Sequence, residues 1–251
     1  MKKSVLMKKS VFILAALPLF LIGCKTPPKI DLVDYSPIAI VSVYSNSSLP
    51  WYSKEGEKNP EDSLVTSDLN KVIEKNNPEY QTVQSRIDDA AHILEKCLSE
   101  NGVTLVDMDA VKNTTVYGSG FNKFYQQATT STAADGYMVL DYNGNARNRS
   151  IARESGAGGT LFAEFIFQKQ KIQNGLFDEN VAAKVTMKVY VADSTGKKLL
   201  YRTYRGLSPE SIPYDNGNWD RGTLVSYFPG VVESVVNAFV IDYCNLDFGS
   251  N

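Results

Sequence analysis

The sharpest pattern in the chain is the alternation from Val181 to Val191. Val181, Ala183, Val185, Met187, Val189 and Val191 are apolar, while Ala182, Lys184, Thr186, Lys188 and Tyr190 between them are mostly polar. A period of two with one apolar side predicts a strand with one buried and one wet face. Asp193-Ser194-Thr195-Gly196-Lys197 then supplies turn residues and Leu199–Arg205 returns, which reads as a β-hairpin. Two shorter apolar runs also read as strands: Ile38–Tyr44, β-branched and closed by Ser45-Asn46-Ser47-Ser48, and Thr160–Gln168. From Tyr80 to Asn101 the period changes. Val83, Ile87, Ala91, Leu94 and Leu98 fall on one stripe, with Asp88, Asp89, His92, Glu95, Lys96 and Ser99 mostly opposite, so the stretch predicts an amphipathic helix stopped by Asn101-Gly102.

Weaker patterns fill the gaps. Val103–Val106 predicts a short strand directly after the helix, and Tyr137–Leu140 another, with a short helix near Phe121–Gln127. Ile151-Ala152-Arg153-Glu154 reads as the end of a helix that turns through Ser155–Gly159 into the next strand. The last helix is expected from Pro229 to Tyr243; Val231, Val232, Val235, Val236, Phe239, Val240 and Ile241 make it apolar nearly all round, hence largely buried. Strand, helix, strand, irregular segment, short helix, strand, hairpin and helix together predict an α+β fold: a mixed β-sheet with helices packed mainly on one face.

The first residues follow another logic. Lys2, Lys3, Lys8 and Lys9 precede the apolar run Val11–Leu21, which closes on Leu21-Ile22-Gly23-Cys24. A basic start, a short apolar core and a small-residue cut site make a secretory signal. Met7 opens a second, equally good start, since Met1–Val5 and Met7–Val11 nearly repeat. The Leu-x-Gly-Cys pattern resembles the bacterial lipobox, and that resemblance implies a lipid on the thiol of Cys24 and cleavage just before it. The expected division is a lipoprotein signal peptide over residues 1–23, a lipidated stem over 24–36 carrying Pro27 and Pro28, and one α+β domain over 37–251. No later stretch is expected to be long and apolar enough to span a bilayer. Lys25 at the second mature position, by resemblance to enteric lipoproteins, points to outer-membrane sorting, with the domain in the periplasm or on the cell surface.

The leader carries four of the 26 basic residues and none of the 28 acidic ones, so the mature chain has a net charge of −6. Both signs are spread along it without a basic block, which argues against nucleic acid as a partner.

Candidate chemistry is thin. His92, the single histidine, sits on the polar side of its helix. Asp107 and Asp109 are two acids without a third ligand in view. Asp141-Tyr142-Asn143-Gly144-Asn145 begins like a calcium loop but has Ala146 where glycine is required and Ala152 where the bidentate glutamate belongs, so it reads as a turn. Gly156–Gly159 leads from helix into strand, the reverse of a phosphate loop. No metal or other cofactor is expected. Lys184, Lys188 and Arg202 read as a solvated sheet face. Cys97 and Cys244, in an exported chain and near the ends of the two longest helices, predict a disulfide; two inert buried thiols are the alternative. Trp51 and Trp219 lie in polar loops, as candidate partner-binding aromatics or as residues that pack those loops onto the body.

"SPIAIVSVYSN", "SIARESGAGGTLFAEF" and "VTMKVYVADSTGKKLLYRTYRG" resemble the lipoprotein domains related to the curli secretion lipoprotein, the penicillin-binding-protein activator lipoprotein and the amino-terminal domain of TolB. The resemblance covers about a third of the chain and has no counterpart for residues 112–145. It implies a non-enzymatic envelope module, held to the bilayer through acylated Cys24, that binds another envelope protein or polymer. Two other classes remain. A periplasmic small-ligand carrier would line its mouth with Trp51, Tyr125, Tyr214 and Trp219. A hydrolase would have to work with carboxylates, because the chain lacks a Gly-x-Ser-x-Gly elbow and its one histidine stands on a polar helix face.

Overall fold

The computed structural model describes residues 30–52, 77–117, 131–174, 178–215 and 217–244. The lipobox, Tyr125 and the short helix expected near Phe121–Gln127 lie outside the described residues.

Among the described residues six strands form one mixed sheet, so the α+β class holds. The strands are β1 (Ile38–Asn46), β2 (Ser131–Ala133), β3 (Gly159–Asn174), β4 (Asp178–Asp193), β5 (Lys198–Leu207) and β6 (Ile212–Pro213), in the order β2-β1-β3-β4-β5, with β6 paired to β4. β1 runs parallel to β3, and the other pairs are antiparallel. β1 is buried along most of its length, which its continuous apolar run requires. The expected hairpin is β4–β5. The sequence reading missed that β3 and β4 pair over their whole length, from Gly159 opposite Asp193 to Asn174 opposite Asp178.

The helices are α1 (Pro78–Gln81), α2 (Val83–Glu100), α3 (Met108–Lys112), α4 (Asn145–Ser155), α5 (Arg221–Ser226) and α6 (Phe228–Tyr243). α2 and α6 pack on one another and on one face of the sheet, over Val43, Phe165, Phe167, Val185, Met187 and Val189. α3 and α4 cover part of the other face, where Ala39, Val41, Phe162, Tyr190 and Ala192 meet Val111, Ile151 and Ala152. At roughly 1.5–3 kcal/mol for each large apolar side chain fully buried, these two layers drive the fold.

Four expectations are corrected. α6 is two-sided: buried pairs Val231–Val232, Val235–Val236 and Phe239–Val240 alternate with exposed Glu233–Ser234, Asn237–Ala238 and Ile241–Asp242. The helical run Arg221–Tyr243 is nonetheless long and apolar enough, by length and composition, to cross a membrane, and its buried side is taken by α2 and the sheet. Val103–Val106 makes only one parallel bridge, Leu105 to Ile38, because the chain turns away into α3. Tyr137–Leu140 is not a strand. There the Ser42 hydroxyl donates to the Met138 carbonyl at 2.6 Å and accepts from the Leu140 N–H at 3.1 Å, taking the place of ladder bonds to β1. Neither segment could be told from a strand by its short apolar run.

The β4–β5 turn is docked. Gly196 has φ +81°, and a Cβ there would stand 2.0 Å from the Asn145 carbonyl oxygen at the start of α4. Glycine is required by both the conformation and the approach.

Candidate functional site

The two tryptophans singled out in the sequence meet. Trp51 and Trp219 stand edge to face with centroids 5.2 Å apart, and Tyr214 stacks on Trp219 at 5.9 Å. This brings together three of the four aromatics proposed for a carrier's mouth, but the rings fill one another's space. Trp51 is 8% exposed and belongs to the main core, so it is not the exposed anchor its polar surroundings suggested; Trp219 is half-buried.

Inside the aromatic group lies an ionic cluster. Asn77 caps α1, accepting from the Glu79 N–H at 3.0 Å, and Pro78 stands at the first helical position, so Glu79 lies in the first turn with its side chain inward. One Glu79 oxygen takes Lys169 Nζ at 2.8 Å; the other takes Arg221 Nη1 at 2.9 Å and Trp219 Nε1 at 3.0 Å. Glu79 is 2% exposed and Lys169 5%. A carboxylate so deep needs this much answering charge and hydrogen bonding. The Lys169 ammonium also lies 5.1 Å from the Trp51 ring and 4.7 Å from that of Trp219, and Arg221 lies 3.9 Å from the latter.

Lys169 joins distant stretches. Its backbone N–H donates to Pro50 O at 3.0 Å and its carbonyl accepts from the Tyr52 N–H at 2.7 Å, while its side chain holds Glu79. Next to it, Arg86 is 4% exposed, lies 5.5 Å from the Phe167 ring and 5.6 Å from the Phe228 ring, and donates to Glu79 O at 2.8 Å and Thr82 Oγ1 at 2.6 Å. Burial pushes the Arg86 pKa down, with the Glu79 charge opposing. Sequence reasoning passed over Glu79 and Lys169. The signal available was phase, since Lys169 continues the inward side of Phe165 and Phe167.

The other candidates disperse. Cys97 and Cys244 are free and buried, which corrects the expected disulfide. The Cys97 thiol faces Asn237 Oδ1 at 3.6 Å. Cys244 caps the C-terminal end of that helix, seven residues after Asn237. His92 is exposed on α2. Asp107 caps α3 by accepting from the Asp109 N–H at 2.7 Å. Lys188 pairs with Glu164 at 3.1 Å on the sheet face, but Lys184 is not solvated: it is 8% exposed, with its ammonium 3.1 Å from the centre of the Tyr52 ring.

Tyr142 stacks on Tyr190 at 4.7 Å and tilts against Tyr201 at 5.2 Å, and these three border a shallow recess with Tyr44, Glu164 and Lys188. The tyrosines lie beside the free side of β5, whose Tyr201 is 38% exposed and Leu207 42%.

No family model matches the chain, and no curated protein does. Among solved structures, it is similar to a minor lipoprotein from Acinetobacter baumannii, at 15% identity over 62% of this chain and 84% of that one, with a TM-score of 0.32. It is also similar to the lipoprotein GNA1162 from Neisseria meningitidis, at 17% identity over 80% of this chain and 97% of that one, with a TM-score of 0.29.

Proposed function

We propose that this chain is a bacterial envelope lipoprotein, anchored through acylated Cys24, whose α+β domain binds another envelope component without acting on it chemically. The observation that carries the reading is Leu21-Ile22-Gly23-Cys24 behind a lysine-flanked apolar run, the pattern of a lipid-acceptor cysteine. Lys25 favours the outer membrane as the destination. Glu79, engaged by two cations and an indole of its own chain, does not offer the free carboxylate that a carboxylate-based hydrolase would need at that place. The packing of Trp51, Tyr214 and Trp219 ring against ring disfavours a carrier's mouth at that place.

The test has two arms. Labelled fatty acid should enter the wild-type chain and not Cys24→Ala, and mild crosslinking in intact cells should retain a reproducible envelope protein or polymer on the wild type. Fatty acid entering Cys24→Ala would overturn the anchor. A bound small molecule in the native mass spectrum, with no crosslinked partner, would overturn the binding module in favour of a carrier.

A further inference from the structure

β5 is the last strand of the sheet path, and among the described residues no strand lies beyond it. Its hydrogen-bonding phase can be read from one bond. The Ser208 N–H donates to the Ala183 carbonyl at 2.8 Å, and these two residues continue the register in which Leu207 faces Lys184. Alternation along an antiparallel ladder then turns the backbone groups of Gly206, Tyr204 and Arg202 towards β4, and those of Arg205, Thr203 and Tyr201 outward. The Tyr201 carbonyl agrees, since it accepts from Arg202 Nη1 at 3.1 Å rather than from β4.

The side chains of this edge have one sign. Lys198, Arg202 and Arg205 lie on β5, which carries no acid. None forms an ion pair with a described carboxylate. On a chain whose overall charge is negative, this is a local basic strip. Tyr201 and Leu207 are two of the three large apolar residues exposed among the described ones, and both stand on the side of β5 that faces away from α6. Self-association along this edge is disfavoured, because two copies would bring the cations of both strands together. Opposite charge fits instead.

We propose that β5 is a docking edge that takes an extended acidic peptide segment of an envelope protein as an added strand. The outward N–H and C=O groups of Thr203 and Arg205, with the N–H of Tyr201, supply the ladder; Arg202 on the α6 side of the sheet and Arg205 on the other favour acidic side chains, and Tyr201 and Leu207 add apolar contact on the side of Arg205. The proposal rests on the binding-module reading and names the chemistry of its partner. The competing role for the cations is to guard a bare edge against aggregation, which predicts no binding.

The experiment uses the full lipidated chain in detergent and a capped fluorescent peptide alternating Glu and Val, with a Lys and Val peptide as control. The Glu peptide should bind, weaken as salt rises, and outbind the Lys peptide at least tenfold. Thr203→Pro removes an outward N–H while leaving the β4 ladder intact, and should weaken binding at least tenfold. Arg202→Glu combined with Arg205→Glu reverses exposed charge and gives a second readout should the proline variant lose its fold; it should also cost at least tenfold. Equal affinity for the two peptides, no binding of the Glu peptide, or a folded variant that binds as the wild type does would overturn the docking edge. If a crosslinked partner is retained while the peptide arm fails, the module reading stands with its partner elsewhere; peptide binding without any cellular partner removes the module reading alone.

Discussion

At Glu79 both carboxylate oxygens are engaged, and the ammonium of Lys169 beside it is as deeply buried. Glu79→Gln strips the countercharge from a buried lysine and should destabilise the domain by about 3–5 kcal/mol, on the order of 10 °C in melting temperature at this size. Lys169→Met leaves Glu79 with Arg221 and Trp219 and should cost less than half as much. Thermal unfolding of the two variants checks the order; equal losses would show that the pair does not act as described. The thiols give a pH dependence. Burial pushes the Cys244 pKa from 9.0 up to about 12, with the Asp31 charge adding to the shift, and burial does the same for the Tyr117 phenol, from 10.0 to about 12. Above the ordinary values the unfolded chain gives up protons that the folded chain keeps, so stability falls as pH rises from about 9 towards 12. Urea unfolding between pH 8.5 and 11 should show this decline, and Cys244→Ala should flatten its lower part. An unchanged slope in that variant would deny the thiol its share.

Single elements show how far a local pattern reaches. α2 and the β4–β5 hairpin were legible because each repeats its own period over many residues, and a sustained period defines both the element and its buried side. α6 was legible as a helix but not as a two-sided one, since exposed Glu233, Ser234, Asn237 and Asp242 stand among valines that periodicity had already claimed. The hairpin turn was expected, but its docking on α4 was not. Gly196→Ala must both hold an alanine at φ +81° and clear the Asn145 carbonyl, and should cost about 1–3 kcal/mol. Gly230→Ala, in the first turn of α6 with nothing within 4 Å of the added methyl, should instead be neutral or stabilise by about 0.5 kcal/mol. Denaturant midpoints of the two variants should move in opposite directions or only the first should move; equal losses would count against the docked turn.

For the molecule as a whole, the proposed reading attaches the chain to a membrane through Cys24 and not through a helix. The run Arg221–Tyr243 passes a length-and-composition test for a span, yet Phe228, Val231, Val235 and Phe239 are spent on the domain's own core. A chain beginning at Lys25 should therefore remain in the aqueous phase of a detergent-partition experiment, whereas the acylated chain should enter the detergent phase. Recovery of the Lys25 chain in detergent would reassign α6 as a membrane contact. The sequence by itself determined the elements with a strong period, the α+β class and the lysine-flanked apolar run before Cys24, because each is written in neighbouring residues. Only the tertiary structure decided that β1 pairs parallel with β3, that Cys97 faces Asn237 and not Cys244, and that Glu79 meets Lys169 and Arg221 from 90 and 142 residues away. Those contacts depend on how the chain returns on itself, and local periodicity determines the buried side of an element without specifying what it is buried against.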